Sequence, residues 1–184
     1  MSAEQARHGV AASLGTDQAS VDRVTAPMLR DLFVNGDFSA SLDGQIPILD
    51  ASERSHMSDV GGLVRSLALL EAAALLTLLL TGRRLRGDPA RRARLLRRAG
   101  AGIGIAALVL GAFFALSFDA AFAAFHGLFF KAGTWQFGPE SNLIRIFPEP
   151  FWFETSLLAG ASIVIAAAFA WWLARRDQRT AAAS

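Results

Sequence analysis

The chain has 184 residues, 53% of them hydrophobic, with 18 Lys and Arg against 16 Asp and Glu and no cysteine. That balance is too apolar for an ordinary soluble domain and fits a single small polytopic membrane domain. The lack of cysteine excludes a disulfide framework and a thiol nucleophile. Nucleic acid is not indicated either, because the arginines gather on one short loop instead of alternating with aromatics over a face.

Residues 1–59 carry nine acids against four arginines and contain no run able to span a bilayer, which places them outside the membrane. The first residues, including His8, read as a frayable terminus. From Gln18 to Phe33, residues Val21, Val24, Met28, Leu29 and Leu32 recur at helical spacing, predicting one amphipathic helix that stops at Asn35-Gly36. Residues 36–52, with Gly44 and Pro47, read as loop. A further helix starts at Ser52-Glu53 and carries His56, Met57 and Asp59 toward the first long apolar run.

That run, Val60 to Thr81, is long enough to cross about 30 Å of hydrocarbon. Arg65 near its start can snorkel. Glu71 lies near the middle, where a charge costs roughly 2.5–3.5 kcal/mol, so it is expected to face protein or to be protonated. Residues 82–98 hold eight arginines and one acid. A second span, 99–121, is rich in small residues (Gly100, Gly102, Gly104, Gly111) that let helices approach closely in lipid. A third, 156–174, ends at Trp171-Trp172 and is followed by Arg175, Arg176 and Arg179. By the positive-inside rule the 82–98 loop and the 175–184 tail are cytoplasmic, and residues 1–59 and 122–155 are extracytoplasmic. Carrying a polar first segment across the membrane calls for a span ahead of it, so an upstream fourth helix is expected.

Phe125 to Phe153 packs seven Phe and two Trp around His126. Aromatics at that density belong at the membrane–water boundary, and the stretch reads as an interfacial loop. His56 and His126 then stand on the same side, each directly beside a span. A histidine near its ordinary pKa is the usual general acid or base, and at this depth it can reach the ester bond of a lipid. Asp59, three residues after His56, and Asp119, seven before His126, share a helical face with their histidines and are candidates to orient them. Arg145 is a candidate to hold a phosphate or carbonyl, or to brace the loop through Glu140 or Glu149. A metal site of His56, His126 and Glu140 lacks a short ligand spacing, so neither metal nor cofactor is expected. There is no G-x-S-x-G elbow to suggest a serine hydrolase. The competing reading is a non-catalytic lipid-binding or assembly subunit whose histidines only hydrogen-bond within the outer loop. A transporter is disfavoured, since apart from Arg65 and Glu71 the spans lack charge and no inverted repeat is visible.

The elements His56-Met57-Ser58-Asp59-Val60, Phe125-His126-Gly127-Leu128-Phe129-Phe130, Trp135-Gln136-Phe137, Leu143-Ile144-Arg145-Ile146-Phe147-Pro148 and Phe151-Trp152, in this order, resemble the bacterial lipoprotein intramolecular transacylase family of small integral membrane proteins. The likeness runs from about residue 20 onward. It implies an all-α, multi-pass protein of the plasma membrane with four helices, three of them in this chain. The implied activity moves the sn-2 acyl chain of a diacylglyceryl-cysteine onto the α-amino group of the same cysteine, giving a lyso-form lipoprotein. The implied partners are a diacylated lipoprotein and membrane lipid, met on the extracytoplasmic face. The family's two histidines map onto His56 and His126. His126 is then the expected base and His56 the oxyanion donor or acid, with the reverse assignment, or an acyl-imidazole intermediate on either one, as alternatives. Phe129, Phe130, Trp135 and Trp152 are expected to line the acyl groove, with Arg145 at its polar end.

Overall fold

The computed structural model describes residues 1–34, 36–42 and 44–183, with side chains as far as Arg176. Among these residues all regular structure is helical: α1 (Ser2–Arg7), α2 (Val10–Ser13), α3 (Gln18–Val34), α4 (Ala51–Arg84), α5 (Pro89–Leu116), α6 (Phe118–Phe129), α7 (Asn142–Ile146) and α8 (Glu149–Ala183). The three helices long and apolar enough to cross a membrane are α4, α5 and α8; the expected spans 60–81 and 156–174 fall within α4 and α8, and the expected span 99–121 overlaps α5 only as far as Leu116. The chain divides into two compact units, one of residues 1–70 and 122–153 and one of residues 71–121 and 154–184.

The first unit has its own core. Val24 and Met28 of α3 pack with Phe38, Ile48, Leu49, Met57, Leu143, Ile146, Phe147 and Phe151. Each such side chain withdrawn from water contributes about 1.5–3 kcal/mol. The predicted apolar stripe of α3 is the face that is buried. The terminus is not frayed: Gln5 is fully buried, and its Nε2 donates to the Ile146 carbonyl at 3.2 Å and to Thr25 Oγ1 at 3.3 Å. Helices of six and four residues are too short to show a legible period.

The expected stop of α3 at Asn35 lies outside the described residues. Gly36 sits so close to Asp31 that an added Cβ would fall 2.1 Å from the Asp31 Cγ. Asp31 in turn accepts the Phe38 N–H at 3.2 Å, holding Phe38 in the left-handed region at φ 55° with its ring in the core. Helix α4 begins at Ala51 and is capped by Asp50. The Asp50 Oδ1 accepts the Glu53 N–H at 2.9 Å while Glu53 Oε2 accepts the Asp50 N–H at 2.8 Å, a reciprocal capping box. Arg65 donates to the Leu32 carbonyl at 3.1 Å.

Two expectations about the outer stretch are corrected. Helix α5 ends at Leu116, broken at Ser117 (φ −148°, ψ 62°), instead of running to Ala121. About half of the aromatic segment is also helical, since it contains the end of α6, all of α7 and the first turn of α8. Phe118, Phe122, Phe125 and Phe129 recur at helical spacing, a pattern hidden by reading the aromatics only as interfacial anchors. Helix α8 starts at Glu149-Pro150, where a missing N–H is tolerated.

In the second unit Asp88 accepts the Arg91 N–H at 2.8 Å and Pro89 opens α5. Gly100 lies against α8, where an added Cβ would meet the Ala167 carbonyl oxygen at 3.1 Å and Trp171 Cβ at 3.7 Å. Gly104 approaches Ala167 Cβ at 3.5 Å, whereas Gly102 and Gly111 face open space. The Arg175 guanidinium covers the Trp171 ring at 4.0 Å. Glu71 is exposed and has no ion pair among the described residues, so of the two expectations for it, facing protein or being protonated, the first is not met there.

Candidate active site

One turn past the capping box, α4 presents His56 just ahead of its apolar run. The same turn is tied to the outer segment by Glu53, which is 2% exposed. Its Oε1 accepts the Ser141 hydroxyl and the Leu143 N–H, the latter at 3.1 Å. Asn142 adds a bond to the Ile48 carbonyl at 2.8 Å.

Helix α6 presents His126 in its last turn. Its Nδ1 lies 2.8 Å from the Phe122 carbonyl, one turn earlier. A carbonyl can only accept, so Nδ1 carries the hydrogen and the lone pair is on Nε2. The two imidazoles stack with centroids 5.9 Å apart and planes 28° apart. Phe130 lies 4.9 Å from His56 and 5.4 Å from His126, and Phe137 lies 5.6 Å from His56. Phe122, Trp135 and Phe125 surround His126 at 4.0, 4.8 and 5.5 Å. Only 5% of His56 and 9% of His126 remain exposed.

Both histidines lie outside the expected spans, in surroundings that disfavour charge. Burial, reinforced by repulsion from His126 and opposed by Asp59, lowers the pKa of His56 to about 4. Burial also lowers that of His126, opposed by the Phe122 carbonyl. At neutral pH the pair is therefore two neutral imidazoles, and a proton gained by one discourages a second. The cage nevertheless keeps two buried polar atoms without a hydrogen-bond partner among the described residues, His56 Nδ1 and Trp135 Nε1.

Of the residues singled out from sequence, His56, His126, Phe130 and Trp135 come together. Asp59 is exposed and acts on His56 only through its charge. Asp119 is exposed and about 10 Å from His126 along the helix axis, two turns at 1.5 Å per residue, and the Phe122 carbonyl holds the ring instead. Phe129 packs on Phe125 at 5.0 Å and is 47% exposed. Trp152 packs on Phe147 and Phe151, and its N–H is satisfied by the Phe147 carbonyl at 3.0 Å. Arg145 donates to Asn142 Oδ1 at 3.2 Å, in place of the expected glutamates. Phe122, Phe137 and Glu53 belong to the site and its support without having been singled out. The signals for two of them were the i−4 position of Phe122 and the Asp50-x-x-Glu53 spacing. Among the described residues no three His, Asp or Glu side chains converge as a metal site.

Residues 5–152 match the family described as lipoprotein intramolecular transacylase Lit. The fold is similar to that of the membrane integral lipoprotein intramolecular transacylase Lit from Bacillus cereus, determined in meso. The TM-score is 0.85 at 19% identity, over 100% of this chain and 84% of that one. A comparison with curated proteins finds no match. With the family matched over most of its length, this chain belongs to the lipoprotein intramolecular transacylase Lit family.

Proposed function

We propose that this protein is a lipoprotein transacylase that moves the sn-2 acyl chain of a diacylglyceryl-cysteine to the α-amino group of the same cysteine. The observation that carries the reading is the stacked pair of neutral imidazoles at 5.9 Å, buried in an aromatic cage. Ester aminolysis needs a base for the attacking amine and an acid for the departing glycerol oxygen. The Nε2 lone pair of His126 suits the first task, with its tautomer held by the Phe122 carbonyl. His56, beside it, suits the return of the proton. An apolar cage keeps both groups neutral at rest and holds competing water away from the ester. Because amine and ester belong to one bound lipid, proximity supplies part of the rate. The arginines of residues 82–98 and of the tail favour the cytoplasmic side, which supports an extracytoplasmic site for the histidines in the plasma membrane, facing diacylated lipoproteins.

The test is expression in a bacterium that lacks the lyso form, followed by mass spectrometry of a lipoprotein's N-terminal peptide, with His56→Ala and His126→Ala alongside. The N-acyl lyso form is expected with the wild-type chain and lost in both variants. An unchanged lipopeptide beside well-expressed protein would favour the non-catalytic lipid-binding reading instead.

A further inference from the structure

We infer that the indole N–H of Trp135 is the hydrogen-bond donor to the oxyanion formed at the ester carbonyl, a role that rests on the transacylation proposed above. Five aromatic rings surround the histidine pair, and four of them are phenylalanines: Phe122, Phe125, Phe130 and Phe137. The fifth, Trp135, is the one that brings an N–H, and that N–H is buried without an acceptor among the described residues. A buried unmet donor carries a desolvation cost that a phenylalanine at the same place would avoid. Trp152 is the internal contrast, with its N–H paired to the Phe147 carbonyl at 3.0 Å. Trp135 thus holds a donor in reserve for a guest oxygen.

The donor is aimed by a hydrogen-bonded turn. The Thr134 N–H and hydroxyl both bond the Lys131 carbonyl, at 3.2 and 2.8 Å, and the Gly133 N–H bonds Gln136 Oε1 at 3.0 Å. Gly133 has φ +84°, a conformation that side chains rarely adopt. This turn sets the Trp135 ring 4.8 Å from His126 at 36°, beside the proposed base. An oxyanion donor has to stand there, because the atom losing its proton to the base is bonded to the carbonyl carbon in the intermediate.

The amine lone pair forms the C–N bond, and the carbonyl π pair moves onto oxygen, which accepts the Trp135 N–H. His126 Nε2 takes one proton from the attacking nitrogen. On collapse the C=O re-forms, and the bond to glycerol breaks with its pair on the glycerol oxygen. That oxygen receives the same proton through His56, leaving an amide, a free hydroxyl and a neutral pair. With Trp135 as donor, His56 is left for proton return.

The experiment compares wild-type protein with Trp135→Phe on a synthetic dipalmitoylglyceryl-cysteinyl peptide in detergent micelles, recording kcat, KM and Tm. The expected result is a kcat about 100-fold lower, KM within about 2-fold, and a Tm equal to or above wild type. A kcat within about 3-fold of wild type, or a rise in KM alone, overturns the donor role and leaves Trp135 as a wall of the acyl groove. A large fall in Tm also overturns it, because it reveals an internal partner for the N–H. If the wild type makes no N-acyl product, the proposed function falls and the donor role with it. An active wild type indifferent to Trp135→Phe removes the donor role alone.

Discussion

Glu53 offers the sharpest test of how the site is held. Replacing it with alanine removes the acceptor of three groups: the Asp50 N–H, the Ser141 hydroxyl and the Leu143 N–H. Leu143 is 6% exposed, so its orphaned N–H costs about 1–3 kcal/mol. Loss of half the capping box adds about 1 kcal/mol, giving about 3 kcal/mol together. For a chain of this length that corresponds to roughly 6–12 °C in Tm. Glu53→Gln has a narrower effect. Its amide can keep one oxygen on Leu143, but its NH₂ then faces the Asp50 N–H, donor against donor, while Ser141 rotates to suit. About 1–2 kcal/mol is expected to be lost. Thermal unfolding in detergent, followed by intrinsic fluorescence, measures both. Glu53→Ala within about 2 °C of wild type, or Glu53→Gln as damaging as alanine, would refute the reasoning.

Stability should depend on pH through the histidine pair. The folded His56 pKa of about 4 lies below its ordinary 6.5, so the unfolded chain binds the proton first. The contribution is fully present above pH 6.5 and is lost as pH falls toward 4, with His126 acting in the same direction. Subtracting the Tm profile of His56→Phe isolates it, and a difference that is flat between pH 4 and 6.5 would contradict the neutral pair. Gly100→Leu should cost about 1–3 kcal/mol by overpacking α5 on α8, whereas Gly102→Leu, with nothing within 4 Å, should leave Tm unchanged. Equal effects of the two would show that α5 does not use the Gly100 face.

What the sequence made legible were features with a long or clean signal. The three spans follow from runs of apolar residues, and the buried stripe of α3 from its period. The two histidines stood out because each is the lone titratable ring beside a span. The unread parts depend on geometry that spacing does not carry. Asp119 shares a face with His126 yet is two turns away, so a backbone carbonyl orients the ring. Trp152 and Trp135 look alike in sequence, but one N–H is satisfied by the Phe147 carbonyl at the end of α7 and the other has no partner among the described residues. The weight of aromatics between α5 and α8 obscured the helical spacing of α6. Gln5 joins the site's support through contacts 20 and 141 residues away, beyond any local pattern.

The most direct measurement of the central claim uses purified protein and two synthetic diacylglyceryl-cysteinyl peptides of different mass, one with a deuterated sn-2 chain. Mass spectrometry of the products locates each acyl chain. The account predicts N-acylated lyso peptides in which the label stays on the peptide that brought it, formed about 10²–10⁴ times more slowly by His126→Ala and by His56→Ala. Crossed products, acyl chains left on the glycerol, or histidine variants as fast as wild type would contradict it.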